Sequence, residues 1–201
     1  DTCGVFDYME FTSEEDAEFI LELLNSPKWL KYIGDREVRS VESARDYIRT
    51  KMLPQLDRLG YSNYTLSRKS DGVKIGTFGL YDREWLDGID IGFAFLPEYE
   101  GHGYAYESAD KIKNLAFDEF GIKELKAITT KENHSSQKLL EKLGFNLDGT
   151  VSIPNDEKEL LLYKIKNKPW KEMSWQKKWN LVQPVNHPMG IQRVMSCMLV
   201  P

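Results

Sequence analysis

The sequence predicts a mixed α/β fold: a mostly antiparallel, twisted sheet of about seven strands, flanked by helices and followed by a C-terminal extension. Three observations predict it. Apolar residues recur at helical spacing up to Leu59 and change at Tyr61 to strand-like runs punctuated by Asp71-Gly72 and Asp87-Gly88. From Tyr104 onward, helix-like and strand-like stretches alternate. The charge balance then reverses, from 20 basic against 31 acidic side chains in residues 1–163 to 7 against 1 in residues 164–201.

The apolar stretch Val5, Phe6, Tyr8, Met9 and Phe11 reads as a first strand. Thr12 stands three residues before Glu15, the spacing of a reciprocal cap, and Ala17, Ile20, Leu21 and Leu24 form the buried stripe of a helix that Asn25-Ser26-Pro27 ends. A short helical piece carries Trp29, Leu30, Tyr32 and Ile33. A longer one spans about 41–59, with Pro54 expected to kink or break it and Gly60 to stop it. Residues 64–68, 74–81 and 89–96 form an antiparallel meander. A helix over 104–120, a strand over 125–130, a helix over 135–143 and strands over 145–151 and 159–165 complete the order. No internal repeat interrupts it. The expected domain is 1–165, and the extension is 166–201.

At 201 residues the chain is long enough for one core without staples, since a domain of this size buries about 70% of its unfolded surface. Hydrophobic residues at 41% and charged residues at 29%, with a net charge of −5, exclude a disordered or collagen-like chain. The two cysteines, Cys3 and Cys197, form no C-x-x-C pair, so a reducing cytoplasm is the expected location. No run approaches the ~20 apolar residues of a membrane span, and no charged-then-apolar leader opens the chain. The chain opens at Asp1 rather than Met, which leaves the start of the first strand open. No metal site and no DNA partner are expected.

Two segments carry chemistry. In the first, the strand 89–96 runs into Pro97-Glu98-Tyr99-Glu100-Gly101-His102-Gly103-Tyr104-Ala105, a two-glycine loop that opens a helix. Glycines let backbone N–H groups converge there, and the helix end favours an anion, so the loop is a candidate pyrophosphate cradle as well as a plain tight turn. It is neither a dinucleotide fingerprint nor a Walker loop. Asp90, Gly92, Ala94 and Leu96 share one strand face; Gly92 and Ala94 leave room for a thin ligand arm or a packing helix. The second segment is Asn133-His134-Ser135-Ser136, followed by Leu139, Leu140, Leu143, Gly144 and Phe145. Asn133 or Ser135 can cap this helix. Ser136 falls on the inward face at the first turn, where its hydroxyl can cap or can donate to a ligand.

Together these segments resemble the GNAT acyl-CoA N-acyltransferase superfamily, most closely the branch of the RimJ/RimL ribosomal-protein N-terminal acetyltransferases. The family's Gln/Arg-x-x-Gly-x-Gly/Ala loop aligns with Glu98-Tyr-Glu-Gly101-His-Gly103. Its Asn-x-x-Ser and Lys-x-Gly-Phe helix aligns with Asn133, Ser136, Lys142, Gly144 and Phe145. The resemblance implies acetyl-CoA as cofactor: backbone groups of Phe95 and Leu96 would hold the pantetheine arm, and Glu100, Gly101, His102, Gly103, Tyr104 and Ala105 the pyrophosphate. Asn133 and Ser136 would face the thioester. Two residues depart from the pattern. Glu98 replaces an amide or guanidinium, and Leu140 stands where many relatives have an acid Tyr.

A neutral amine must attack the thioester, the oxyanion needs N–H donors, and the departing thiolate needs a proton. Without a Tyr at 140, Ser136 is the proton donor that the resemblance leaves, and Asp90 is the candidate to hold a water that takes the amine's proton. At pH 7.4 an α-amine is roughly a quarter neutral and a lysine about one part in a thousand, so an N-terminal or weakly basic small amine is the easier acceptor, a protein N-terminus among them. Trp29, Tyr32 and Trp85 are candidates to line the acceptor pocket, or to pack in the core. The basic tail, with Trp170, Trp175 and Trp179, reads as docking on the acidic body, and residues 190–201 as a segment that could pair two copies into a homodimer. The rival readings are a silent acyl-CoA-binding regulator, a basic-tailed adaptor, and an acetyltransferase for polyamines, antibiotics or amino acids.

Overall fold

The computed structural model describes residues 6–154 and 158–167. Seven strands form one sheet: β1 Phe6–Phe11, β2 Asn63–Arg68, β3 Lys74–Asp82, β4 Ile89–Phe95, β5 Glu124–Thr129, β6 Asn146–Ser152 and β7 Glu159–Lys166. Their order across the sheet is β1-β2-β3-β4-β5-β7-β6. Every neighbouring pair is antiparallel except β4 and β5. That exception follows from chain direction, because the long helix between β4 and β5 carries the chain back to the edge at which β4 began.

Six α-helices flank the sheet: α1 Ala17–Leu24, α2 Pro27–Tyr32, α3 Val41–Tyr47, α4 Leu53–Leu59, α5 Tyr104–Asp118 and α6 His134–Lys142. A π turn over Ile48–Met52 joins α3 to α4, with the Leu53 N–H reaching the Ile48 carbonyl. It lies immediately before Pro54, which cannot donate to the ladder, so the expected break is a change of helical pitch. One sheet face packs on α5 and α6, burying Phe78, Leu80, Ile91, Ile112, Leu125 and Leu140. The other packs on α1 and α3, burying Ile20, Leu23, Ala44, Ile48 and Leu96. Burial of these aliphatic and aromatic side chains is the main favourable term that holds the layers together.

Two local expectations shift. The first helical turn is capped by Ser13 and Asp16, one residue later than Thr12 and Glu15, with the Ser13 N–H bonded to Asp16 Oδ2 at 2.8 Å. Thr12 is instead buried in the sheet, where its hydroxyl meets Thr65 Oγ1 at 3.0 Å and accepts from Asn63 Nδ2 at 2.8 Å. The boundary at 165 falls inside β7, where Lys166 pairs with Glu124. Val5, Cys3 and the extension beyond Asn167, with its tryptophans and Cys197, lie outside the described residues. Among the described residues no helix is long and apolar enough to cross a membrane.

Candidate active site

After β4 the chain makes a 3-10 turn over Pro97–Tyr99 and then passes through Gly101 at φ 77° and Gly103 at φ 87° into α5. Both left-handed positions require glycine. A Cβ at either would meet nothing within 4 Å, so the loop's upper surface is open. The Gly103 carbonyl accepts from Tyr106 and Glu107 at 3.1 and 3.2 Å. The N–H groups of Tyr104 and Ala105 meet no acceptor among the described residues, which leaves donors and the positive end of a 15-residue helix facing open space.

The charges around this loop are partly offset. Glu98 is exposed, but Glu100 is paired with Lys28 of α2. Arg68 lies over the Tyr99 ring at 5.2 Å, and Lys142 lies over the Tyr106 ring at 4.2 Å. His102 is exposed beside the buried Tyr104. Arg68 is also bonded to Asp71, which holds its guanidinium above the ordinary range.

β4 and β5 are in register only at Ile89 with Leu125 and Asp90 with Lys126. Beyond that vertex they part. The Leu96 N–H donates to the Ile75 carbonyl on β3 at 3.0 Å, and the Leu96 carbonyl accepts from Tyr99. Alternation therefore turns the backbone groups of Phe93 and Phe95, not those of Leu96, toward the gap. Of the two residues expected to hold a ligand arm, Phe95 turns its backbone groups toward the gap. Leu96 does not, because its donor completes the β3 ladder and its side chain is core against α1 and α3.

α6 starts at the C-terminal end of β5, as α5 does at that of β4, so both helix starts open at the same edge of the parallel pair. Asn133 is the cap: its Oδ1 accepts from the Ser136 N–H at 3.2 Å and the Ser135 hydroxyl at 2.9 Å. That bond occupies the oxygen of Asn133, making it a positioning residue for α6. The Ser136 hydroxyl is half-buried and has no partner among the described residues. Leu140 is buried in the core.

Asp90 is not beside Ser136. Its side chain lies on the opposite face of the sheet, at the vertex, 1% exposed, with Oδ1 bonded to Arg83 Nε at 2.7 Å. Its Oδ2 is buried without a partner among the described residues. Desolvation pushes the carboxyl above its ordinary value, against the opposing pull of Arg83. Arg83 lies over the rings of Tyr81 and Trp85 at 5.1 and 5.9 Å. Trp85 therefore sits at the N-terminal end of β4. Trp29, whose buried indole N–H has no partner among the described residues, packs against the core cluster that contains Leu96, at the other end, and the Lys31 ammonium lies over the Tyr32 ring. Trp29 and Trp85, expected to share a pocket, are thus at opposite ends of β4. Arg83 and Tyr81 went unnoticed in the sequence because the six-residue connection to β4 hides which residues pair across it.

A family model described as "Acetyltransferase (GNAT) domain" matches residues 9–146. The chain belongs to the GNAT family. It is 26% identical over 140 residues to the uncharacterized N-acetyltransferase YoaA of Bacillus subtilis (strain 168), covering 69% of this chain and 78% of that one. It is 30% identical over 139 residues to the uncharacterized N-acetyltransferase p20 of Bacillus licheniformis, covering 68% and 77%. Its fold also matches RimL, a ribosomal L7/L12 alpha-N-protein acetyltransferase solved with coenzyme A, with a TM-score of 0.66 and 17% identity over 79% of this chain and 92% of that one. As a GNAT chain it is an acyltransferase, and its seven-stranded open sheet flanked by helices matches the fold of its structural neighbours.

Proposed function

We propose that this GNAT chain transfers an acetyl group from acetyl-CoA to a primary α-amine, in the manner of the RimJ/RimL branch. The observation that carries the reading is the parting of β4 and β5 beyond Asp90 and Lys126, next to a loop with unused donors. The residues fit the cofactor. The N–H groups of Tyr104 and Ala105, with the open backbone of Gly101 and Gly103, would hold the pyrophosphate. Backbone groups of Phe93 and Phe95 would hold the arm as a strand partner.

When bound, acetyl-CoA supplies an acetyl group activated as a thioester. The chain's own task is then to deliver a neutral amine and to manage two protons. The Ser136 hydroxyl, which has no bond to the described residues, would give its proton to the sulfur side. Leu140 offers none. Asp90, whose Oδ2 is buried, is not placed to hold a water for the amine, so the amine's proton would pass to solvent. No strongly basic side chain is needed if the acceptor's amine is already a quarter neutral at pH 7.4, roughly as a peptide N-terminus is.

The test is release of free CoA thiol from acetyl-CoA with peptides, N-acetyl-lysine amide and spermidine as acceptors. Release with the peptides at the highest kcat/KM supports the reading. Binding of CoA without release for any amine would favour the silent regulator, whose case rests on Leu140 and Glu98.

A further inference from the structure

The vertex where β4 and β5 separate holds a second, smaller site. Three charged side chains are buried or half-buried there: Asp90, its register partner Lys126 and Arg83. Two are cations and one is an anion. Lys126 is bonded to the Asp87 carbonyl and stands 3.6 Å from the Asp87 carboxylate, which is fully exposed and solvated. Asp82, also nearby in sequence, is paired with Arg58 at 2.8 Å.

Arg83 is arranged as a receptor. Asp90 accepts from its Nε and the Tyr81 ring lies beneath it, so the fork is fixed in direction. No acceptor among the described residues meets its two Nη nitrogens, and a third of the side chain is open to solvent. The Tyr81 ring is itself held. It covers Gly79 and Gly92, and its hydroxyl donates to Asn63 Oδ1 at 2.5 Å. A guanidinium oriented through Nε with both Nη groups open matches the two oxygens of a carboxylate.

The site also lies where an acceptor would need it. From Phe95 back to Ile91 the gap beside β4 runs about 13 Å at ~3.3 Å per residue and closes at Asp90. A ligand arm entering at the α5 loop therefore ends at this vertex.

We propose that Arg83 receives a carboxylate of the acceptor, so that the enzyme's substrates are amines that carry a carboxylate close to the reacting nitrogen. This rests on the acetyltransferase reading above and names its substrate class. Asp90 and Tyr81 are positioning residues for the guanidinium. The overall charge of −5 governs encounter, whereas the open fork of Arg83 governs selection.

The test measures kcat and KM with acetyl-CoA and tripeptide amides that differ only at the second residue, Glu, Gln or Lys, together with glycylglycine and spermidine. The Glu peptide is expected to exceed the Gln peptide about tenfold in kcat/KM. Arg83→Gln should erase that preference through KM, raising KM about tenfold more for the Glu peptide than for the Gln peptide, and Arg83→Lys should retain part of it. Glycylglycine reports whether a terminal carboxylate serves as well as a side-chain one. Preference for spermidine or the Lys peptide, or an equal loss on every acceptor in Arg83→Gln, overturns the inference. So does CoA binding with no acceptor turned over. If CoA itself does not bind, the acetyltransferase reading falls first. Should Arg83→Gln fail to fold, Arg83→Gln/Asp90→Asn removes both charges together, and the wild-type comparison of Glu with Gln decides.

Discussion

Gly79 and Gly92 face each other across β3 and β4, and the ring of Tyr81 lies over both. A Cβ at Gly79 would stand 2.4 Å from the Tyr81 ring and hydroxyl, and one at Gly92 would stand 2.9 Å from it. The ring cannot lift without losing its bond to Asn63. Gly79→Ala should therefore cost about 2 kcal/mol through overpacking, and it should lower the melting temperature by about 4–8 °C. Combining it with Tyr81→Leu should recover much of that loss. Thermal and denaturant melts of the three variants check this, and simple additivity of the two losses would contradict it.

Asp90 gives a pH dependence with a definite sign. Burial raises its carboxyl above the ordinary 3.8, so between that value and the raised one the folded chain binds more protons than the unfolded chain. Its contribution to stability is then fully present below the unfolded value and is lost as the pH rises through the folded one. Relative to Asp90→Asn, which has no proton to gain, the wild type should become more stable as the pH is lowered from 7 toward 4. Urea midpoints of both proteins across that range measure it, and a difference that grows in the opposite direction would count against it.

The meander was legible because period-two runs between Asp-Gly turns specify strands locally, and the helices because Gly60, Gly121 and Gly144 end them at left-handed positions. The parting of β4 and β5 was not. It is a property of two strands distant in sequence, and nothing in either segment encodes how far their register continues. The same reason separated Asp90 from Ser136. Alternation along β4 put Asp90 on one face, but only the packing of α6 shows that Ser136 approaches from the other. Leu96 was misjudged because its N–H is consumed by Ile75, a pairing fixed by the hairpin register.

Gly103 precedes α5 at a φ that L side chains rarely adopt, with nothing nearby to clash. Gly103→Ala should therefore cost only the ~1–2 kcal/mol of a left-handed alanine, or turn the peptide and misdirect the donors behind it. In the second case the Kd for CoA should rise about tenfold, equivalent to ~1.4 kcal/mol, while the melting temperature moves little. Titration calorimetry beside a thermal melt separates the two. Unchanged affinity with a lower melting temperature would show that the alanine keeps the left-handed turn and leaves the donors in place.

Asn133 and Ser136 share one helix turn but should fail in different ways. Asn133→Ala removes the side chain that accepts from the Ser136 N–H, so it should cost about 1 kcal/mol of stability, and Asn133→Ser should restore most of it. Ser136→Ala keeps that N–H and loses only a hydroxyl with no partner among the described residues, so stability should hold. Its effect belongs in kcat, with a fall of about a hundredfold for a lost proton donor and little change in the KM for acetyl-CoA. Steady-state kinetics and melts of both variants make the comparison. A Ser136→Ala enzyme with undiminished kcat would remove the hydroxyl from the chemistry and leave the departing sulfur to take its proton from water.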